Sequence, residues 1–249
     1  MIILSATELT KNFGGLAALN HVSVQVQEGE MLGIIGPNGS GKSTLFAVVS
    51  GFLRPTAGQV TFLGQRIDGL RPHSICRLGL VRTFQQSQLF SRLTVFQNVL
   101  TGAYRSCNSR RTAEAETIRI LERLGLDDSS DELAINLNLP DQRKLELAKA
   151  LSTKPKVLLA DEIMGGLRKD EVEEISKLLI SLNSREGLTL LMVEHHVKVI
   201  TAICQRVMVL HHGNTIAEGP PQEIIRDPEV VKAYLGEGEE PRGRDDVRG

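Results

Sequence analysis

The chain reads Gly36-Pro37-Asn38-Gly39-Ser40-Gly41-Lys42-Ser43 near its N-terminus, an unbroken match to the phosphate-loop pattern G-x-x-x-x-G-K-[ST]. Glycines at this spacing let backbone N–H groups curl around phosphate oxygens, and a following helix adds the positive end of its dipole. The context fits, because the apolar run Met31–Ile35 predicts a buried strand before the loop and residues 43–50 predict a helix after it. We therefore predict that the nucleotide is bound by Gly36, Pro37, Asn38, Gly39, Ser40, Gly41, Lys42, Ser43 and Thr44.

Two side chains of this loop carry its chemistry. The amine of Lys42 is placed to reach the β- and γ-phosphates, and the hydroxyl of Ser43 is a suitable ligand for Mg²⁺. The motif therefore predicts ATP and Mg²⁺ as cofactors, with Lys42 taking part in catalysis.

Two carboxylates follow a later apolar run. Residues 157–160 predict a buried strand, and Asp161 and Glu162 come at its C-terminal end, where open α/β sheets bind ligands. We expect Asp161 to hold Mg²⁺, directly or through water, and Glu162 to orient and deprotonate the attacking water. Such a pair is a weak signal alone, but it becomes strong more than 100 residues after a phosphate loop.

A histidine ends another apolar run, Leu191-Met192-Val193-Glu194-His195. A lone histidine is more often structural than catalytic, and we interpret His196, His211 and His212 as surface residues. His195 differs because its strand is expected beside the strand of Asp161. We predict that it contacts the γ-phosphate and senses hydrolysis.

The remaining pattern predicts an α/β protein. Apolar strands alternate with amphipathic helices, which indicates a mostly parallel sheet covered on both faces. An α-helical subdomain, about residues 90–152, interrupts this alternation. It begins at the capping-box pattern Thr94-Val95-Phe96-Gln97 and contains a helix over 111–124 with Ile118, Leu121 and Leu124 on one face. The predicted fold is a P-loop NTPase with a mostly parallel sheet, an antiparallel β subdomain and this helical insert.

Composition excludes several classes of protein. The formal net charge of −1 gives no basic field for nucleic acid, and no apolar run approaches the length of a membrane-spanning helix. The N-terminus lacks the features of a signal peptide. Cys76, Cys107 and Cys204 form no CxxC pair, so we expect a reducing compartment, no disulfide, and buried thiols. Residues 236–249 are charged and poor in apolar side chains, which predicts a disordered tail.

The order of these motifs resembles that of ABC transporter ATPases over nearly the whole chain. The resemblance implies one ATP-binding domain at 1–235. It identifies Gln85, in Val81-Arg82-Thr83-Phe84-Gln85, as the Q-loop glutamine, a catalytic residue and Mg²⁺ ligand that joins the core to the helical subdomain. It also implies that Phe13 stacks on adenine.

Three segments resemble the ATPases of branched-chain amino acid importers more narrowly. They are Asn12-Phe13-Gly14-Gly15-Leu16-Ala17-Ala18-Leu19, Arg82-Thr83-Phe84-Gln85 and the ten residues from Asp227 to Gly236. The Phe-Gly-Gly element is similar to one of the two paralogous ATPases of those systems. The lipopolysaccharide-export ATPase has a similar C-terminal segment but is not expected to carry Phe-Gly-Gly. Relatives in this importer class also carry urea, short amides and aromatic acids, so the cargo stays open.

The sequence departs from the family pattern at two places. The signature Leu-Ser-Gly-Gly-Gln aligns with Leu137-Asn138-Leu139-Pro140-Asp141, and Pro140 has no N–H to donate. Proline is also comfortable early in a helix, which is the structural alternative. In the D-loop, Gly165-Gly166-Leu167-Arg168, the arginine replaces a usual acidic or amide residue. Both departures concern the site that this chain would complete for a partner.

The resemblance implies an energy-coupling ATPase at the cytoplasmic face of the cell membrane. Its expected partners are two transmembrane permease subunits, a second ABC ATPase in a head-to-tail dimer and, indirectly, a solute-binding protein. Three alternatives are a lipopolysaccharide-export ATPase, a nucleic-acid-linked ABC ATPase and a regulatory cassette that binds without turnover. No zinc pair or basic extension favours nucleic acid, so we expect none as a partner. Glu162 and His195 argue against the regulatory class.

Overall fold

The structure, a computed structural model, describes residues 1–85, 88–195 and 197–235. Residues 236–249, predicted to be a disordered tail, lie outside the described residues, as does His196. Among the described cysteines, Cys204 is buried, whereas Cys76 and Cys107 are only partly buried, and all three are free thiols.

A six-stranded sheet forms the centre of the molecule, in the order β10-β9-β3-β8-β7-β6. Its strands are β3 Met31–Ile35, β6 Leu80–Arg82, β7 Val157–Asp161, β8 Thr189–Val193, β9 Arg206–His211 and β10 Asn214–Gly219. All neighbours run parallel except β9 and β10. The strand of Asp161 therefore lies directly beside the strand that precedes His195, as the sequence predicts.

A second sheet is antiparallel and has the order β2-β1-β4-β5. Its strands are β1 Ile2–Phe13, β2 Leu16–Gln27, β4 Ala57–Phe62 and β5 Gln65–Arg66. Helices complete the chain: α1 Lys42–Val49, α2 Pro72–Leu78, α3 Val95–Ser106, α4 Arg110–Leu124, α5 Leu139–Leu151, α6 Lys169–Glu186, α7 Val197–Ile203, α8 Pro221–Ile224 and α9 Pro228–Leu235. The predicted fold class is confirmed.

Two hydrophobic cores lie on opposite faces of the central sheet. Along β7, Leu158 and Ala160 enter one core, and Val157 and Leu159 enter the other. This alternation follows from the two-residue period of a strand, and it explains why the strand is apolar throughout. The sheet is therefore held rigidly from both sides, and side chains at the ends of its strands start from fixed positions.

Helices α3, α4 and α5 lie between β6 and β7. The capping box opens α3 as predicted, because Thr94 Oγ1 accepts from Gln97 N at 3.1 Å and Gln97 Oε1 accepts from Thr94 N at 3.0 Å. Ile118 was predicted to lie on the apolar face of α4 with Leu121 and Leu124, and this prediction is wrong because Ile118 is 50% exposed. Thr117 is buried instead, with its hydroxyl satisfied by the carbonyl of Ala113 at 2.8 Å.

Candidate nucleotide-binding and catalytic site

The phosphate loop leaves β3 and enters α1 in a conformation that requires glycine. Gly36 and Gly41 have φ values of 151° and 109°. A Cβ on Gly36 would lie 2.1 Å from the carbonyl oxygen of Leu210, and one on Gly41 would lie 2.6 Å from that of Ala18. Strands β9 and β2 therefore pack against the loop too closely for any side chain at these two positions.

The turn between β9 and β10 also supports the loop. Gly213 N donates to Ser40 O at 3.0 Å, and Asn20 N donates to Gly213 O at 2.8 Å. This support from the far end of the chain was missed by the sequence reasoning. The only sequence signal for it is a glycine between two strands.

Lys42 is buried at the start of α1, and its amine points into the phosphate loop. Nζ donates to Gly36 O at 2.6 Å and to Pro37 O at 2.8 Å. The ammonium therefore already lies among the backbone groups predicted to surround the phosphates. A cavity of about 160 Å³ opens there, lined by Ala18, Asn38, Gly39, Ser40, Gly41, Lys42, Ser43, Thr44, Glu162 and His195.

Three larger cavities, of about 360, 350 and 250 Å³, lie elsewhere. We assign the site by its chemistry rather than by volume, because the smaller cavity joins the phosphate loop to the residues that follow β7 and β8, and none of these three does. Most of the predicted site residues meet there. Phe13 does not line this cavity; it lies at the end of β1, 48% exposed, with Lys11 Nζ 5.1 Å from its ring centroid.

The Glu162 carboxylate is held from two sides. Gln85 Nε2 donates to its Oε2 at 2.6 Å, and His195 Nε2 lies 2.8 Å from its Oε1. Its backbone has φ 50°, in the left-handed region, and its N–H donates to Val193 O at 2.9 Å. Residues other than glycine adopt this conformation at a cost of about 1–3 kcal/mol.

Asp161 makes a different set of contacts behind Glu162. Its Oδ2 accepts from Arg82 Nη2 at 2.6 Å, and its N–H donates to Thr83 Oγ1 at 3.1 Å. Its Oδ1 is buried and has no hydrogen-bond partner within the described part of the chain. The sequence assigned no site role to Arg82 or Thr83; this segment served to locate Gln85 and to support the resemblance to branched-chain amino acid importer ATPases.

One face of α5 holds the backbone around Gln85. Arg143 Nη1 donates to Gln85 O at 3.3 Å, Glu146 Oε1 accepts from Gln88 N at 3.3 Å, and Lys149 Nζ donates to Gln88 O at 2.8 Å. Arg143 and Glu146 also form an ion pair at 3.1 Å. The three side chains are spaced three residues apart, so they lie on one side of the helix. The helical segment is thereby tied to the residue that contacts Glu162.

The segment aligned with the family signature caps α5. Asn138 is the N-cap; its Oδ1 accepts from Asp141 N at 2.9 Å, and its Nδ2 donates to Asp141 Oδ2 at 2.8 Å. Pro140 lies in the first turn of the helix. Arg168, the unusual D-loop residue, is the N-cap of α6 and pairs with Asp170 at 3.2 Å and Glu171 at 2.8 Å.

Glu194 is a buried carboxyl group next to His195. Its Oε1 accepts from Met164 N at 2.9 Å, which links β8 to the loop after β7. Burial raises the pKa of Glu194 to about 7, and the nearby Glu162 carboxylate acts in the same direction. The Met164 N–H and Arg143 oppose this shift of the pKa.

The strand–loop–helix unit and the carboxylate pair beside it define a P-loop nucleoside triphosphatase. The family model described as ABC transporter matches residues 19–165, and that described as branched-chain amino acid ATP-binding cassette transporter matches residues 214–240. The chain therefore belongs to the ABC transporter ATP-binding family and is an ABC ATPase. Within its described residues, no helix is both long and apolar enough to cross a membrane.

Relatives support this membership. The high-affinity branched-chain amino acid transport ATP-binding protein LivG of Salmonella typhimurium is 38% identical over 252 residues, with 94% of this chain and 98% of LivG covered. The lipopolysaccharide export system ATP-binding protein LptB of Acidithiobacillus ferridurans is 35% identical, with 94% and 97% covered. The ADP conformation of MJ1267, an ATP-binding cassette of an ABC transporter, has a TM-score of 0.86 at 32% identity, with 95% and 99% covered.

Proposed function

We propose that this chain binds and hydrolyses ATP to energise an importer of branched-chain amino acids or related small polar solutes. The observation that carries the proposal is the Glu162 carboxylate held between Gln85 and His195 at the edge of the phosphate-loop cavity. A carboxylate fixed in this way is suited to accept a proton from water. The match of residues 214–240 to the branched-chain amino acid family supports the cargo class.

The described residues fit ATP and Mg²⁺. Lys42 exchanges the carbonyls of its own loop for β- and γ-phosphate oxygens, and loop N–H groups surround them. Ser43, Asp161 and Gln85 supply the hydroxyl, carboxylate and amide oxygens that Mg²⁺ prefers. The buried, unpaired Oδ1 of Asp161 is a group in need of such a partner. The metal, when bound, neutralises charge that develops on the phosphates.

Hydrolysis then depends on the three residues around Glu162. Glu162 orients the attacking water and takes its proton, while Gln85 and His195 keep the carboxylate aimed. His195 has an exposed side chain on the cavity side, at 47%, so it can also meet the γ-phosphate. Its contact with Glu162 makes the two residues respond together when the phosphate leaves.

A second ABC ATPase completes the site. In this arrangement each nucleotide lies between the phosphate loop of one subunit and the signature segment of the other. Two transmembrane permease subunits receive the motion, a solute-binding protein delivers the cargo, and this chain acts as a peripheral subunit at the cytoplasmic face of the membrane. Phe13, exposed at the end of β1, is proposed to stack on adenine.

Transport by the reconstituted complex identifies the cargo. The chain is assembled in proteoliposomes with its permeases and a binding protein, and uptake of labelled leucine, urea and an aromatic acid is followed with ATP inside. ATP-dependent leucine uptake supports the proposal. ATPase activity that responds to lipopolysaccharide and to none of these solutes would instead favour the export alternative, which the likeness to LptB keeps in view. Stimulation by DNA or RNA would favour a role in nucleic-acid metabolism.

A further inference from the structure

Arg82 forms a buried ion pair with Asp161 that the family motifs do not account for. Its Nη2 lies 2.6 Å from Asp161 Oδ2, and only 11% and 3% of the two side chains are exposed. Arg82 is the last residue of β6 and pairs in register with Leu159 of β7. The two residues are 79 positions apart in sequence, and adjacent parallel strands bring them together.

Aromatic rings surround the guanidinium. Its central carbon lies 5.8, 6.0 and 5.2 Å from the ring centroids of Phe46, Phe52 and Phe84. Phe52 and Phe84 pack edge to face at 5.4 Å. A cation over an aromatic face is attracted by the ring, and the attraction is stronger when the contact is shielded from water. The Arg82 side chain is therefore fixed in place, with one edge turned toward Asp161.

The main chain of Asp161 is fixed as well. Thr83 Oγ1 accepts its N–H at 3.1 Å, and Thr83 N donates to Leu159 O at 2.9 Å. Arg82 donates to Asp161 Oδ2, whereas Asp161 Oδ1 is buried and has no hydrogen-bond partner among the described residues. One carboxylate oxygen is thus occupied, and the other is held in a single orientation.

We propose that Arg82 is a positioning residue that aims Asp161 Oδ1 at the magnesium ion. This inference rests on the proposed function, in which Asp161 is a Mg²⁺ ligand. Residues that hydrogen-bond to metal ligands fix their orientation, and losing one such partner typically costs about 10- to 100-fold in metal affinity.

Two effects of the arginine oppose each other. Its positive charge would repel a bound Mg²⁺, but the Asp161 carboxylate, as the ligand of that ion, would screen the repulsion. Without Arg82, a carboxylate that is 3% exposed would lose its ion-pair partner, and a buried charge left without its partner is strongly unfavourable. Asp161 Oδ1 would then no longer be held in one orientation, and we expect this loss to outweigh the removal of the repulsion.

The test measures how strongly Mg²⁺ tightens binding of a non-hydrolysable ATP analogue, from its Kd with Mg²⁺ and with EDTA. In Arg82→Met this tightening factor should fall by about tenfold or more. Arg82→Lys keeps the charge but loses the planar guanidinium, so its tightening factor should lie between those of the wild type and Arg82→Met. This variant replaces Arg82→Met in the test if Arg82→Met does not fold. Arg206→Met is the matched control, because Arg206 pairs with Glu30 at 2.7 Å and does not line the cavity.

A double-mutant cycle assigns the effect to Asp161. In an Asp161→Ala background, Arg82→Met should leave the remaining Mg²⁺ effect unchanged, since no carboxylate remains for Arg82 to hold. An unchanged tightening factor in the single variant, or an equal loss in both backgrounds, overturns the inference about Arg82. Failure of the wild-type protein to bind the analogue, or to bind it more tightly with Mg²⁺, overturns the proposed function instead.

Discussion

Gln85 Nε2 donates to Glu162 Oε2 at 2.6 Å, across 77 residues of sequence. The other oxygen of the same carboxylate lies 2.8 Å from His195 Nε2. Arg143 of α5 in turn holds the carbonyl of Gln85 at 3.3 Å. Arg143 and Gln85 are therefore the two side chains that connect α5 to Glu162, the proposed general base. We expect a displacement of α5 to change the orientation of the Glu162 carboxylate.

Replacing Glu162 by Gln should separate binding from chemistry. The amide keeps the shape of the side chain but cannot accept a proton, so we expect hydrolysis to fall about 10²- to 10⁴-fold. ATP and Mg²⁺ should still bind, and a closed dimer should accumulate. Steady-state hydrolysis and nucleotide titration measure the two effects. Glu173→Gln, on the exposed face of α6, is the control. Hydrolysis close to the wild-type rate would show that Glu162 is not the base.

Replacing Lys42 by Ala should abolish hydrolysis and strongly weaken nucleotide binding. The ammonium is the charge proposed to meet the β- and γ-phosphates, and a preorganised donor of this kind is worth about 10²- to 10³-fold in rate. The fold should persist, since the strands beside the loop pack on its glycines independently of Lys42. Nucleotide titration and circular dichroism check both points against Lys177→Ala, an exposed lysine of α6. Wild-type turnover in Lys42→Ala would contradict the assignment of the loop.

The sequence is sufficient to predict the parts of the site that depend on local patterns. The glycine spacing of the phosphate loop indicates its conformation, and the apolar runs that lead to Asp161 and His195 are the buried strands Val157–Asp161 and Thr189–Val193. Strand β1 escapes prediction because its pairing with β2 shifts register four times, which breaks the two-residue alternation of buried side chains. The prediction that Ile118 is buried was wrong for a different reason. Burial on α4 depends on which side of the helix a residue occupies, and Thr117 lies on the buried side although it is polar.

Long-range partners of the site are beyond a local pattern. Arg82 meets Asp161 only because β6 pairs with β7, and nothing near either residue in sequence indicates the other. The same holds for Gly213, which contacts the phosphate loop from the turn between β9 and β10. These contacts depend on strand order, which the alternation of strands and helices leaves open.

Stability should fall as pH rises because of Glu194. Its pKa is about 7 in the fold and near 4.5 when exposed, so the folded state binds more protons between these values. The stabilising effect of this proton is complete below about pH 4.5 and is lost by about pH 7, a change on the order of 3 kcal/mol. Glu162 and Asp161 face Glu194 and raise its pKa further, whereas Arg143 opposes them.

Glu194→Gln tests this dependence. Glutamine can still accept the Met164 N–H but does not titrate, so the variant should be more stable than wild type at pH 8 and should differ little at pH 4.5. Urea unfolding of both proteins across this range measures the difference, with the exposed Glu173→Gln as control. A variant that is destabilised equally at every pH would assign Glu194 a packing role only.

The signature segment should make the two nucleotide sites of a heterodimer unequal. Pro140 offers no N–H to a phosphate, and both side-chain polar atoms of Asn138 are bonded to Asp141. The Asn138 amide is therefore already engaged through one of its N–H groups, and the Asp141 carboxylate adds negative charge where a phosphate would lie. A missing donor to the transition state is worth about 2.7–4 kcal/mol, or roughly a hundred- to a thousandfold in rate.

Two heterodimers, each with Glu-to-Gln at the Walker B glutamate of one subunit, measure this inequality. Glu162→Gln in this chain should remove most turnover, because its own phosphate loop faces an intact signature on the partner. The same change in the partner should cost little, because that site relies on Leu137-Asn138-Leu139-Pro140-Asp141. The four changes Asn138→Ser, Leu139→Gly, Pro140→Gly and Asp141→Gln together restore the family signature in this chain. The site at the partner's phosphate loop should then turn over, so total turnover should depend more strongly on the partner's glutamate. Equal losses from the two single changes, with no effect of the restoration, would leave Pro140 as a well-placed proline in the first turn of α5.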